Sequence, residues 1–183
     1  MLLLLTQCND NLEKPAYQLL KKEGDIELRA YREMPLITAK MEDNDSSNNA
    51  FRQLFKYIDK GNEAEQKIAM TAPVIMTATA NQGESDDQQG EMSFVIPAQV
   101  AKAGAPEPSS AQVQLDKMKA GKIAVIRFYK YDDSAAIEQA TATLKQWIAQ
   151  QGLKEAGEVK LAYYDPPWTP EKYRTNEIWI AVK

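Results

Sequence analysis

The sequence predicts one α+β domain built from a ββαββ unit written twice. Three observations predict it. Apolar residues switch between a spacing of two and a spacing of three to four, the switch runs in the same order in both halves, and a Gly-, Pro- and Ser-rich stretch at 104–110 lies between the copies. A chain of 183 residues, 44% apolar and 26% charged, is long enough to bury a substantial core and is neither disordered nor fibrous in composition.

In the first half, Ile26, Leu28 and Ala30 alternate with Glu27, Arg29 and Tyr31, the pattern of a half-buried strand, and 36–41 reads as a second strand that makes a hairpin with it. Asp45, Ser46 and Ser47 offer N-cap oxygens to a short amphipathic helix carrying Phe51, Leu54, Phe55 and Ile58, which Gly61-Asn62 stops. Ile68, Met70, Ala72, Val74 and Met76 share one strand parity, and after a polar loop at 81–90 the run 92–96 gives a further strand ended by Pro97.

The second half repeats this order. Val113 and Leu115 begin a strand, Gly121 turns the chain, and 123–131 is a longer apolar strand. Asp132-Asp133-Ser134 caps a helix with Ile137, Ala140, Leu144, Trp147 and Ile148 on one face, closed by Gly152. Val159, Leu161 and Tyr163 form the next strand and 177–182 the last, joined by the Pro-rich segment 165–170. One helix covers only one side of a four-stranded sheet, so the two copies are expected to share a core about a pseudo-twofold, with an apolar ligand cleft at their seam.

Composition restricts the chemistry. With 22 Lys and Arg against 26 Asp and Glu, the net charge of −4 gives no overall basic field, and nucleic-acid binding is not expected. No histidine occurs, which removes Ser-His-Asp and Cys-His catalysis and the commonest ligand of zinc, copper or haem iron. The single cysteine, Cys8, excludes an internal disulfide and a thiolate cage, so no metal site is expected. The start, Met1 to Cys8, reads either as the end of a bacterial lipoprotein signal leading to a lipidated cysteine or as the frayed start of a cytoplasmic chain.

Met70, Val74 and Met76 supply soft apolar surface at the seam, able to seat a flat ligand or to serve as ordinary core. Tyr163, Tyr164, Trp168, Tyr173 and Trp179 gather near the end of the chain. Asp132-Asp133 is better explained as a helix cap than as paired catalytic acids, and the loop Glu84-Ser85-Asp86-Asp87 lacks the ordered spacing of a calcium site. Glu177, within the last strand, is solvent-facing, paired with an arginine, or partly buried with a raised pKa and able to act as a base.

The motifs carry a resemblance. Met70-Thr71-Ala72-Pro73-Val74 after Lys67-Ile68, Glu13-Lys14-Pro15-Ala16-Tyr17, Ile26-Glu27-Leu28-Arg29-Ala30-Tyr31, Ser93-Phe94-Val95-Ile96-Pro97, Tyr164-Asp165-Pro166-Pro167-Trp168 and Arg174-Thr175-Asn176-Glu177-Ile178-Trp179 together resemble the SOUL, or haem-binding protein, family. The resemblance implies one domain over 13–183, after a disordered start or lipoprotein remnant at 1–12. It implies a twisted antiparallel barrel-like sheet flanked by two helices. It further implies a monomer that binds haem or a related tetrapyrrole beside the first helix, the Met-Thr-Ala-Pro strand and the C-terminal loop. By position the cleft would take Leu54, Phe55, Lys56, Ile58, Lys67, Met70, Val74, Met76, Tyr164, Trp168 and Arg174, with Lys56, Lys67 and Arg174 as cations for the propionates. An axial histidine, used by some members, has no counterpart. The fold is also similar to that of GyrI-like domains, some of which hydrolyse electrophilic compounds, and Glu177 is the candidate base for that alternative.

Overall fold

The computed structural model describes residues 12–41, 46–77, 90–129, 133–166, 168–170 and 173–183. Nine strands and three helices follow in order. They are β1 (Tyr17–Glu23), β2 (Ile26–Tyr31), β3 (Met34–Met41), α1 (Ser46–Ile58), β4 (Val74–Thr77), β5 (Gly90–Val95), α2 (Ala98–Ala103), β6 (Val113–Met118), β7 (Gly121–Phe128), α3 (Ser134–Gln150), β8 (Lys160–Tyr163) and β9 (Asn176–Val182). The strands form one sheet in the order β1-β2-β7-β9-β8-β4-β5-β3-β6, antiparallel throughout.

The expected α+β class with an antiparallel sheet is what the structure shows, but three details differ. The sheet is open rather than closed into a barrel, and its edges are β1 and β6. Both edges carry charges, Lys21, Lys22 and Glu23 on one and Asp116 and Lys117 on the other, which discourages further pairing. Three helices flank it, since Ala98–Ala103 forms a short helix with no buried residue and therefore no apolar stripe to betray it. The expected hairpin between Ile26–Tyr31 and the strand at 36–41, β2 and β3, does not form. Instead β2 pairs with β7 and β1, while β3 pairs with β5 and β6. Arg32 and Glu33 between β2 and β3 thus carry the chain from one half of the sheet to the other.

Outward from the central β4–β8 pair, the order is β5, β3, β6 on one side and β9, β7, β2 on the other, with β1 added beyond β2. Helix α1 lies over β3, β5 and β6, and α3 over β7 and β9, both on the same sheet face. The α1 stripe that enters the core is Ala50, Leu54, Tyr57 and Ile58, packed on Ile37, Ala39 and Phe94. The expected cap at Asp45 lies outside the described residues, as do the acidic loop at 84–87 and Cys8. In α3, Asp133 caps through a bond from the Ala136 N–H at 3.1 Å, while Ala140, Leu144, Trp147 and Ile148 are buried on Ala124, Ile178 and Ile180. Gly152, at φ +69°, ends the helix. A third cluster fills the opposite sheet face, where Tyr31, Met34, Leu36, Ile75, Val95, Ile123, Val125, Ala162 and Trp179 meet from both halves.

Candidate functional site

The two faces of the β4–β8 junction differ in kind. Register sets Val74 opposite Tyr163 and Met76 opposite Leu161, so these four side chains share the helix-bearing face, while Ile75 and Ala162 point to the other. Leu161 is buried in the cluster beneath α3, whereas Val74, Met76 and Tyr163 are left half-buried. Met76 packs against the clusters beneath both helices. An apolar strip therefore runs between the helices on this face.

The segment leading into β4 is held by a polar turn. Buried Asn62 donates to the carbonyls of Tyr57 (3.0 Å) and Gln66 (2.8 Å) and accepts from the Gln66 N–H (3.0 Å). The Ile68 N–H then bonds the Ile58 carbonyl at 2.8 Å, tying the C-terminus of α1 to the approach of β4. Gly61 permits the tight exit from α1, because a Cβ there would sit 2.5 Å from the Lys56 carbonyl oxygen.

Of the residues expected to line one cleft, the structure brings some together and separates others. Val74 and Met76 lie in the strip, and half-buried Met70 packs on the α1 core beside it. Phe55 (48% exposed) and Lys56 are exposed on α1, Phe55 stacked on Phe51 with ring centroids 6.2 Å apart and Phe51 edge-on to Phe94 of β5. Leu54 and Ile58 are buried under α1 as core. Lys67 is exposed and pairs with Asp59 at 3.4 Å. Trp168 is 83% exposed in the β8–β9 loop, where the Arg174 Nε donates to the Thr169 carbonyl at 2.5 Å. Tyr164 belongs to the opposite face. An open recess of about 570 Å³ beside β6, lined by Glu107, Ser110, Val113 and Leu115 among others, includes none of the expected residues. Among the described residues, no group of three or more His, Cys, Asp or Glu side chains gathers to hold a metal ion.

On the opposite face the sequence offered Glu177 but not its surroundings. Arg29, 2% exposed, forks onto Glu177, also 2% exposed, through Nη2 to Oε1 (2.8 Å) and Nη1 to Oε2 (2.9 Å). The Tyr164 hydroxyl and the Trp179 indole N–H each donate to Glu177 Oε2 at 2.8 Å. Arg29 Nε also reaches Glu27 at 2.7 Å, and its guanidinium lies 4.4 Å from the Tyr17 ring centroid. Burial alone would raise the Glu177 carboxyl, but the hydrogen bonds and charge of Arg29, with the donors on Trp179 and Tyr164, outweigh it and hold the pKa below the ordinary value. Of the three alternatives for this carboxylate, solvent-facing, arginine-paired or raised in pKa, the arginine pair is the one present. Burial and then the charge of Glu177 push the Tyr164 phenol upward, so it stays a donor. The alternation Glu27-Leu28-Arg29 was the available signal, since a charged face of a central strand calls for a buried partner.

Residues 12–181 match the SOUL heme-binding protein family. Heme-binding protein 2 of Homo sapiens is 25% identical over 165 residues, covering 87% of this chain and 79% of that protein. Heme-binding protein 1 of Xenopus tropicalis is 24% identical over 137 residues, 75% of this chain and 71% of that protein. Among solved structures, the EcmrR C-terminal domain superposes with a TM-score of 0.65 at 14% identity, covering 91% of this chain and 98% of that one. A hydrolase from Listeria innocua superposes at 0.62 with 13% identity, covering 90% and 94%. At such identities the structural likeness is one of fold. The match across nearly the whole described chain places it in the SOUL heme-binding protein family.

Proposed function

We propose that this protein carries haem or a related tetrapyrrole, without turnover, on the helix-bearing face of the β4–β8 junction. The carrying observation is the half-buried strip of Val74, Met76 and Tyr163 left between α1 and α3, in a family defined by haem binding. The other face is packed by Trp179, Ile75 and Val125 and offers a ring no such surface. We read the matching strand orders on the two sides as a duplicated unit, which sets the ligand at the meeting of two like halves.

The residues present fit the ligand in two respects. Met70, Val74 and Met76 give apolar contact to the ring, and Lys56 and Arg174 supply cations for the propionates. Lys67, the third expected cation, is engaged by Asp59. With no imidazole in the chain, affinity rests on burial rather than iron ligation, and iron-free porphyrin is accepted. Binding is micromolar, on the order of −8 kcal/mol. Titration with haem and with protoporphyrin, followed by the Soret band and tryptophan quenching, tests this. Saturation near one ligand per chain is expected for both, and the absence of a saturable change would remove the proposal.

The hydrolase alternative finds less support. It asks Glu177 to take a proton from water, yet four donors and a lowered pKa make that carboxylate a poor base.

A further inference from the structure

The two helix-covered clusters meet the same packing demand with different side chains. Beneath α3 the sheet supplies Ala124, Ile126, Phe128, Leu161, Ile178 and Ile180, and among the described residues no methionine is buried there. Beneath α1 the buried set includes Met41 and Met92, and Met76 of β4 packs against it. Packing alone does not ask for this difference, since branched aliphatic side chains suit a strand better than an unbranched thioether.

Register brings the three sulfur-bearing side chains together. Met92 of β5 stands directly opposite Met76 of β4, a relation that sets Cβ atoms about 5 Å apart. On its other side β5 pairs with β3, where Met92 faces Ala39 and Gly90 faces Met41. Met41 is therefore the diagonal neighbour of Met92, at about 7–8 Å. All three methionines lie on the helix-bearing face. The small residues Ala39 and Gly90 complete the patch and leave room into which long, flexible thioethers can turn. Met41 and Met92 are buried, whereas half-buried Met76 opens onto the strip between the helices and gives an ion a way in.

We propose that Met41, Met76 and Met92 form a binding site for a soft monovalent cation, Cu(I) or its analogue Ag(I). Thioether sulfur is a neutral, soft donor, the ligand chemistry that selects Cu(I) over ions preferring oxygen. The three side chains bring no carboxylate, imidazole or thiolate, so zinc and calcium find none of their usual ligands, and no negative charge offsets a divalent ion. A single positive charge shared among polarizable sulfurs is the one such an apolar pocket can hold. The absence of histidine and of a thiolate cage, which argues against other metal sites in this chain, does not touch a site made of thioethers. This proposal does not depend on what the β4–β8 strip binds.

The test uses the full chain carrying Cys8→Ser, so that the sole thiol does not compete for the ion. Cu(I), kept reduced by ascorbate, is partitioned between this protein and the chelator bicinchoninate, and Ag(I) binding is followed by native mass spectrometry. One ion per chain is expected with each probe, and the X-ray absorption spectrum of the copper form should show sulfur-only coordination. Met76→Leu and Met92→Leu are volume-conserving exchanges that a core tolerates, and circular dichroism checks that both variants are folded. Each should weaken Cu(I) by roughly tenfold, since losing a ligand costs at least what losing a ligand's support does. Met34→Leu with Met118→Leu, on the opposite sheet face, should leave the affinity unchanged. Retention of all the Cu(I) by the chelator would overturn the proposal. So would nitrogen or oxygen coordination, or undiminished binding by the folded double variant Met76→Leu with Met92→Leu.

Discussion

Arg29 and Glu177 form a bidentate ion pair across 148 residues of sequence, binding β2 to β9 over the intervening β7. Because β2 connects directly to β3 in the other half of the sheet, this pair fastens the strand that crosses between halves. Both partners are almost wholly buried, so the pair is worth less for its attraction than for the cost of breaking it. Arg29→Met should destabilise the protein by about 3–5 kcal/mol, since Glu177 is then buried without a counter-charge. Arg29→Met with Glu177→Leu should recover a large part of that loss. Urea unfolding of the two variants measures the difference, and equal midpoints for single and double variant would show the pair to be uncoupled.

Acid should weaken the fold through the same carboxylate. The Glu177 pKa in the folded chain is below the ordinary 4.5, so its contribution is fully present above that value and is lost as pH falls through the lower folded value. Thermal unfolding followed from pH 7 to pH 3 should show a decline in Tm below about pH 4.5 that is shallower in Glu177→Gln, although that variant starts from a lower Tm. A decline of the same slope in both proteins would assign the acid lability to other groups.

Core and site on α1 are separable. Leu54 is fully buried, and Leu54→Ala should cost about 2–5 kcal/mol of stability with little effect on ligand affinity once the protein is folded. Phe55→Ala, at a half-exposed position, should leave stability nearly unchanged and weaken haem binding. Calorimetric melting beside haem titration checks both. The opposite assignment of effects would place the ligand against the core side of α1 rather than in the β4–β8 strip.

The cations should discriminate between ligands. Lys56→Ala and Arg174→Ala should each weaken haem by a few-fold, as solvent-screened pairs do, and leave a porphyrin lacking propionates unaffected. Parallel fluorescence titrations at low and moderate salt measure this, and equal losses for both ligands would show the side chains to act by packing alone.

Much of this fold was legible because its elements obey simple periods. Leu144, Trp147 and Ile148 announce the buried face of α3, and Asp133 announces its start. What stayed hidden was non-local. Ile26 to Tyr31 reads as a strand, but nothing in its alternation says that it skips β3 to pair with β7. β1 escaped notice because it is an edge strand exposed on both sides, so Leu19, Leu20, Lys21 and Lys22 show no alternation. The site was partly legible for the same reason. Val74 and Met76 share parity and do share a face, whereas Tyr164 beside Tyr163 must point through the sheet, and a list drawn from motifs does not see that. Phe51 and Phe55 fell on the apolar side of the helical spacing, yet the buried stripe turns toward Ala50 and Tyr57 and leaves both rings partly exposed at its edge, where Phe51 meets Phe94 edge-on.

The most direct measurement places one charge in the strip. Met76 touches the clusters under both helices and stands at the junction where the ring is expected to lie. Haem and protoporphyrin are titrated into the native chain and into Met76→Glu, with circular dichroism showing that the variant remains folded. Haem carriage at this face predicts saturation near one ligand per native chain and a loss of about 1–3 kcal/mol, roughly tenfold to a hundredfold in Kd, for both ligands in the variant. Undiminished binding by folded Met76→Glu would contradict it.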